Sequence, residues 1–218
     1  MDDAPFLSPG LLLKGPKYWS IDPNVNLPSP FVEKLVTFAP ASNDILSKVN
    51  FELYRQDSSF SSTRFNASLL YNIIGKGQIA AQLNAENSND LTNGNSIGIS
   101  SYSNLFYGLS YNFKKLSSDL LFPVTFNIDL NALAGTRKDE GQQTAQSKFL
   151  LQTHYLYSFN EKNYLFIQNS SGLLNSGDYF ENELFRIGGT FNLRGVNEES
   201  IFASAYTIFN LEYRFKPN

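Results

Sequence analysis

Few residues in this chain of 218 have the types and spacings that do chemistry. "GKGQIA" (75–80) traces the outline of a nucleotide-binding Gly loop. No helix follows it and no βαβ unit surrounds it, so it reads as a hairpin turn. Cys is absent, which removes thiolate chemistry, disulfides and Cys-based metal sites. His154 is the single histidine, set on a polar face with Gln152 and Ser158; with no Cys to join it, no metal site is expected. Glu86 and Asp129 are isolated acids, and nothing sets two carboxylates at a catalytic separation. No nucleophile elbow occurs. Arg137, Lys138, Asp139 and Glu140 read as a solvated, mixed-charge loop tip. What remains is "FRIGGTFNLRGVNEES" (185–200), with Gly188 and Gly189 leading to Arg194, Gly195 and Val196. An arginine has five donors and cannot shed its charge, so in a polar interior it needs carboxylate or carbonyl partners. Glycines beside it let the backbone approach a wall closely. This is chemistry for holding, and the chain reads as a non-enzyme without a cofactor.

A holding loop needs something to hold on to, and the rest of the chain supplies it. From about residue 45 the sequence alternates with period two, the signal of half-buried strands. In "LFYGLSYNF" (105–113), Leu105, Tyr107, Leu109, Tyr111 and Phe113 face one way, and Gly108, Ser110 and Asn112 the other. The same holds in 48–54, 64–74, 79–87, 122–134, 148–159 and 207–215; "NYLFIQNSSGLL" (163–174) is less clear. The strands, about nine or ten in all, are long. Globular strands run to ~5–6 residues, whereas strands that cross a bilayer need ~9–11. Connections at 75–77, 114–119 and 159–163 read as short, and those at 87–96, 135–146 and around 175–182 as longer and polar. That asymmetry describes an outer-membrane barrel, with Phe, Tyr, Leu and Ile toward lipid and Asn, Ser and Thr toward a wet lumen. A soluble sandwich or a lipid-binding barrel also alternates, but there the outer face usually carries Lys and Glu.

Composition points the same way. Charged residues make up only 17% and aromatics 15%, led by 19 Phe and 12 Tyr. A net charge of −3 offers no basic field for nucleic acid. No run reaches the ~18 apolar residues of a membrane helix. Residues 1–44 hold seven of the nine prolines, so they read as an extended arm or plug in front of a barrel domain at 45–218. Trp19, in that arm, is a candidate interface anchor or, more simply, a packing residue. Met1 precedes two aspartates, the reverse of a signal-peptide start, so the expectation is either a removed signal or a cytoplasmic chain.

The segment "ELFRIGGTFNLRGVNEESIFASAYTIFNLEYRF" resembles the most recognisable region of the Omp85 superfamily, the outer-membrane assembly and secretion barrels. The matching residues are Gly188, Gly189, Arg194, Gly195 and the strand ending Glu212, Tyr213, Arg214, Phe215; Val196 stands where the family carries an aromatic. The wording is most similar to versions from Bacteroidetes-type bacteria. The resemblance covers about residues 146–215. It implies an all-β, antiparallel transmembrane β-barrel, or part of one, with long strands and an inward-folded loop, in the outer membrane of a Gram-negative bacterium. It implies that Arg194 latches the loop to an acid on the inner wall, and Asp129 and Glu86 are candidate lumen acids. It also implies client polypeptides, outer-membrane lipid or lipopolysaccharide, and other barrel or periplasmic subunits as partners. The family continues for several strands past the corresponding point, one of them supplying the acidic latch partner. The expectation is therefore a chain apparently truncated before the last strands, as a fragment, a reduced relative or a barrel closed with other subunits; in a truncated family member the partner of Arg194 would lie outside it. A plain outer-membrane channel without assembly activity, or a soluble lipid-binding barrel, is the alternative.

Overall fold

The computed structural model describes residues 31–38, 45–56, 59–92, 98–119, 121–189 and 193–217. Nine strands form one sheet: β1 (Phe31–Phe38), β2 (Ile45–Gln56), β3 (Phe60–Ile73), β4 (Gly77–Asp90), β5 (Tyr102–Leu116), β6 (Val124–Asp139), β7 (Gln142–Ser158), β8 (Asn163–Asn175) and β11 (Ala205–Phe215). Every ladder is antiparallel and, up to β8, each strand pairs with the next in sequence. Between β8 and β11 lie a 3-10 turn at Glu181–Glu183 and a small ladder of β9 (Phe185–Ile187) with β10 (Ile201–Ala203). The fold is thus an all-β partial barrel: among the described residues β1 and β11 are its two edges, and the sheet they bound does not close on itself.

The alternation sorts the two faces as the sequence requires. On the convex side Tyr107, Leu109, Phe209 and Leu211 are 63%, 61%, 71% and 69% exposed. Phe51, Phe65, Leu69, Leu83 and Phe149 share that face and are exposed as well. The concave side carries amides, hydroxyls and charges in cross-strand rows. One runs Asn50, Asn66, Asn84 through the register of β2 to β4, and the next runs Glu52, Arg64, Glu86, Asn104, Arg137 across β2 to β6. An aqueous monomer would bury the first face and expose the second; this sheet does the reverse.

Three sequence expectations need correction. Phe31–Phe38 lies inside the segment read as an arm, yet it pairs with β2 over its full length, so the sheet begins before residue 45. No proline falls within those eight residues, and Pro30 and Pro40 flank them. Residues 1–30 and 39–44, including Trp19, lie outside the described residues. The second correction concerns 135–146, which is no long loop. β6 and β7 continue through it to a two-residue turn at Glu140 and Gly141, with φ of 43° and 87°. Two successive positive φ values are what a tight hairpin between twisted strands demands. The one long excursion with described structure through most of its length is 176–204. The third is Phe122, read as part of the apolar outer face. It precedes β6 and turns inward, its ring 4.7 Å from that of Tyr164, against a cluster of Leu156, Tyr164 and Phe166. That cluster also explains why β8 reads poorly as an alternating strand. Tyr164 and Phe166 are covered on the inner face while Ile167 faces outward, so both faces are apolar.

At the end of the sheet that holds this cluster, Lys216 donates to Asp119 at 2.8 Å and ties the tail of β11 to the β5–β6 connection. That ammonium holds the Asp119 carboxyl below its ordinary range.

Candidate functional site

The long loop after β8 lies on the concave face near the opposite end of the sheet, and each of its parts is held there by a different device. The Asn182 amide, on the 3-10 turn, donates to Ser88 Oγ and to the Ser100 carbonyl, both at 2.8 Å, and the Asn182 carbonyl accepts from Tyr102 at 3.1 Å. Phe185, the first residue of β9, packs on a cluster of Phe106, Leu133 and Leu174, with its ring edge-on to Tyr206 at 5.3 Å. Arg186 donates to the Tyr54 hydroxyl and to Glu199 at 3.2 Å, with its guanidinium 4.8 Å from the Phe60 ring. The loop thus reaches from β8 across the concavity to β2, as an inward-folded loop should.

Its firmest anchor is one the sequence reading misplaced. Arg137, read as a solvated loop-tip charge, is 1% exposed and is the largest fully buried side chain among the described residues. Its Nη1 donates to Glu183 at 2.7 Å and its Nη2 to Asp178 at 2.5 Å, while the Phe180 ring covers the guanidinium at 4.0 Å. The other Glu183 oxygen accepts from Gln146 at 3.1 Å, and the Glu183 side chain is only 2% exposed. The signal was present: Asp129, Asn131, Leu133, Gly135 and Arg137 continue one inward row along β6. Four charged residues in succession imitated a turn.

Arg194 forms an ion pair with Glu212 of β11 at 2.9 Å, and Glu212 is also gripped by Arg214 at 2.8 Å. Arg214 in turn stacks on Phe166 at 3.6 Å. The acidic partner therefore lies within the chain, in the Glu-Tyr-Arg-Phe strand itself, and not outside it. Tyr213 and Phe215 alternate with these residues and face outward. Neither candidate lumen acid is that partner. Glu86 is on the inner face as expected, but it pairs with Arg64 at 2.9 Å and accepts from Ser62 at 2.7 Å. Asp129 accepts from Asn112 and Asn131 at 3.0 and 2.8 Å.

The glycines of the motif do separate jobs. Gly188 has φ of 128°, and a Cβ there would stand 2.0 Å from the Asn197 carbonyl oxygen; Gly189 has φ of 91°. Gly195 has φ of 85° with open space around it, and Val196 donates to the Leu193 carbonyl to close that turn. Gly188→Ala is therefore expected to displace the β9–β10 ladder, at about 1–3 kcal/mol. Gly195→Ala meets only the backbone penalty and is expected to cost about 1 kcal/mol. Tryptic cleavage after Arg186 and Arg194 should rise strongly in the first variant and slightly in the second. Equal rates would mean that the close approach at Gly188 is not what shapes the loop.

Between loop and wall lies a cavity of about 300 Å³, reached by Arg64, Glu86, Lys148, Glu183 and Arg186. A second hollow of about 560 Å³, lined mainly by amides such as Asn50, Asn66, Gln82, Asn112 and Asn131, continues along the concave face. No family model matches the chain, and no curated protein matches it either.

Proposed function

We propose that this chain is the wall of a bacterial outer-membrane barrel of the Omp85 type and that it serves the insertion or translocation of other polypeptides. The observation that carries the reading is the convex band of exposed Tyr, Leu and Phe backed by a concave face of amides and charges. Monomers in water rarely expose contiguous apolar patches beyond a few hundred Å², whereas lipid-facing strands need this band. The resemblance of residues 185–215 supports the Omp85 assignment. It is joined by an Arg-Gly turn whose arginine pairs with an inward acid, Glu212.

The sheet edges support the polypeptide-handling part. β1 and β11 stand at the first and ninth places of an antiparallel series, so they run in the same direction. Closing such a sheet with antiparallel ladders takes an odd number of additional strands. A second copy in the same membrane orientation would meet both edges in parallel. An extended segment entering against β1 or β11 meets either edge antiparallel, and main-chain pairing of that kind needs no particular client sequence.

The Arg194–Glu212 pair is 71% exposed on the arginine side, so it contributes about 0–1 kcal/mol to stability. Arg194→Ala is therefore expected to leave a folded, heat-modifiable barrel and to lower the levels of other outer-membrane proteins in cells that depend on this chain. Unchanged levels would favour a plain outer-membrane channel. A chain that stays monodisperse without detergent would instead be a soluble lipid-binding barrel.

A further inference from the structure

We propose that Arg137, Gln146 and Lys148 form a carboxylate-binding site on the wall, occupied in cis by Glu183, and that it takes an acidic polypeptide segment when the loop lifts. The wall supplies the cations and the loop supplies the anions. Among the described residues, both carboxylates paired with Arg137, those of Asp178 and Glu183, belong to the loop. Lys148, two residues from Gln146 on the same face of β7, forms no ion pair among the described residues; its ammonium lies 5.1 Å from the Phe185 ring and feels the Glu86 and Glu183 carboxylates across the cavity. The neighbouring wall cation, Arg64, is already held between Glu52 at 3.2 Å and Glu86 at 2.9 Å.

The cis ligand leaves the site partly unsatisfied. Arg137 Nε is a buried donor without a partner, open to a carboxylate; Gln146 Oε1 is a buried acceptor without one, open to a backbone N–H of an incoming segment. Glu183 meets one terminal nitrogen of the guanidinium, whereas a carboxylate arriving side-on would engage Nε and Nη2 together, the stronger arrangement. Glu183 is therefore replaceable. Lifting the loop removes Asp178 and Glu183 from this end of the groove. It leaves Arg137 and Lys148 without an ion pair to a wall carboxylate, while Arg64 stays between Glu52 and Glu86 and Asp139, on the inward row of β6, accepts from Ser100. Those two wall cations then attract what the loop had supplied. The cis occupant also shows the form of the ligand: a glutamate with an aromatic three residues earlier, Phe180, laid over the guanidinium. That pattern belongs to a peptide and not to a free anion.

The inference deepens the polypeptide-handling reading and rests on it for the kind of ligand; the site itself stands on the geometry. The probe is a fluorescent copy of the loop segment, Asp-Tyr-Phe-Glu-Asn-Glu-Leu, titrated into the full chain in micelles and read by anisotropy. The Glu183→Gln protein is expected to bind it at least about tenfold more tightly than the unchanged protein, the scale of a charged hydrogen bond removed from the competitor. The same peptide with its second glutamate replaced by glutamine should bind neither, and adding Lys148→Gln should abolish the gain. Asp178→Asn, at an exposed partner, gives a smaller gain and decides the matter if Glu183→Gln does not fold. Equal binding by all proteins, or a gain that survives Lys148→Gln, overturns the proposal. Detergent dependence is read separately: a chain soluble without micelles sinks the membrane reading while the titration still runs in buffer.

Discussion

Replacing Arg137 by methionine is expected to cost about 3–5 kcal/mol in loop docking, the usual penalty for removing one partner of a buried ion pair. Two carboxylates lose their cation in that variant, and burial decides which matters. Asp178 is 61% exposed, returns to water and accounts for about 0–1 kcal/mol. Glu183 is 2% exposed and keeps only the Gln146 amide and the Phe180 backbone N–H, at 3.1 Å each. Methionine fills much of the arginine's volume, so the loss is electrostatic and not a cavity. The variant should become sensitive to trypsin after Arg186 and Arg194, with little change in the strands. Combining Arg137→Met with Glu183→Met should recover most of the loss, because the uncompensated charge goes with its partner. A single-variant loss below about 1 kcal/mol would mean that the loop is held by Phe185 and Asn182 instead of by this pair.

The contrast between Arg137 and Arg194 marks where the sequence was legible. Arg194 stands out by its neighbours, since Gly188, Gly189 and Gly195 are needed for positive φ on both sides of it. Its partner was looked for elsewhere although Glu212 stands 18 residues on, since a loop can fold back only on a wall whose position is known. Arg137 was hidden because composition and periodicity disagree there. Composition reads Arg-Lys-Asp-Glu as a turn, while the two-residue period continues through Gly135 and Arg137 on the inward row. Periodicity was the better guide, since an inward row must keep its face as long as the ladder continues. It also placed Tyr107, Leu109 and Phe209 on the outside. It failed at Tyr164 and Phe166, where the inward-turned Phe122 makes the inner face apolar and the alternation vanishes. The edge strand at 31–38 was lost to the prolines around it, which report on the flanks and not on the eight residues between them.

The second large effect is expected at Leu109. It stands in the middle of the convex band, paired across β5 with Ala81 and Ala132, and is 61% exposed. If that face meets acyl chains, Leu109→Arg sets a guanidinium near mid-depth and should cost about 2–4 kcal/mol. If the face meets water, the same change adds a solvated charge to a strand surface and should stay within about 0.5 kcal/mol. Ser110 is the internal control, since it faces the hollow with Asn112 and Asn131 and an arginine there has water and amides for partners. Refolding into phospholipid vesicles and unfolding in guanidinium would separate the two environments: in lipid, Leu109→Arg should fall well below both the unchanged chain and Ser110→Arg. Equal midpoints for the three would remove the bilayer from the account and leave the exposed Tyr, Leu and Phe band to be covered by protein. A deficit at Leu109 alone would instead fix which side of the sheet is dry. The loop charges around Arg137 and the pair of Arg194 with Glu212 would then lie on the wet side, where a carboxylate can be exchanged for another without first crossing hydrocarbon.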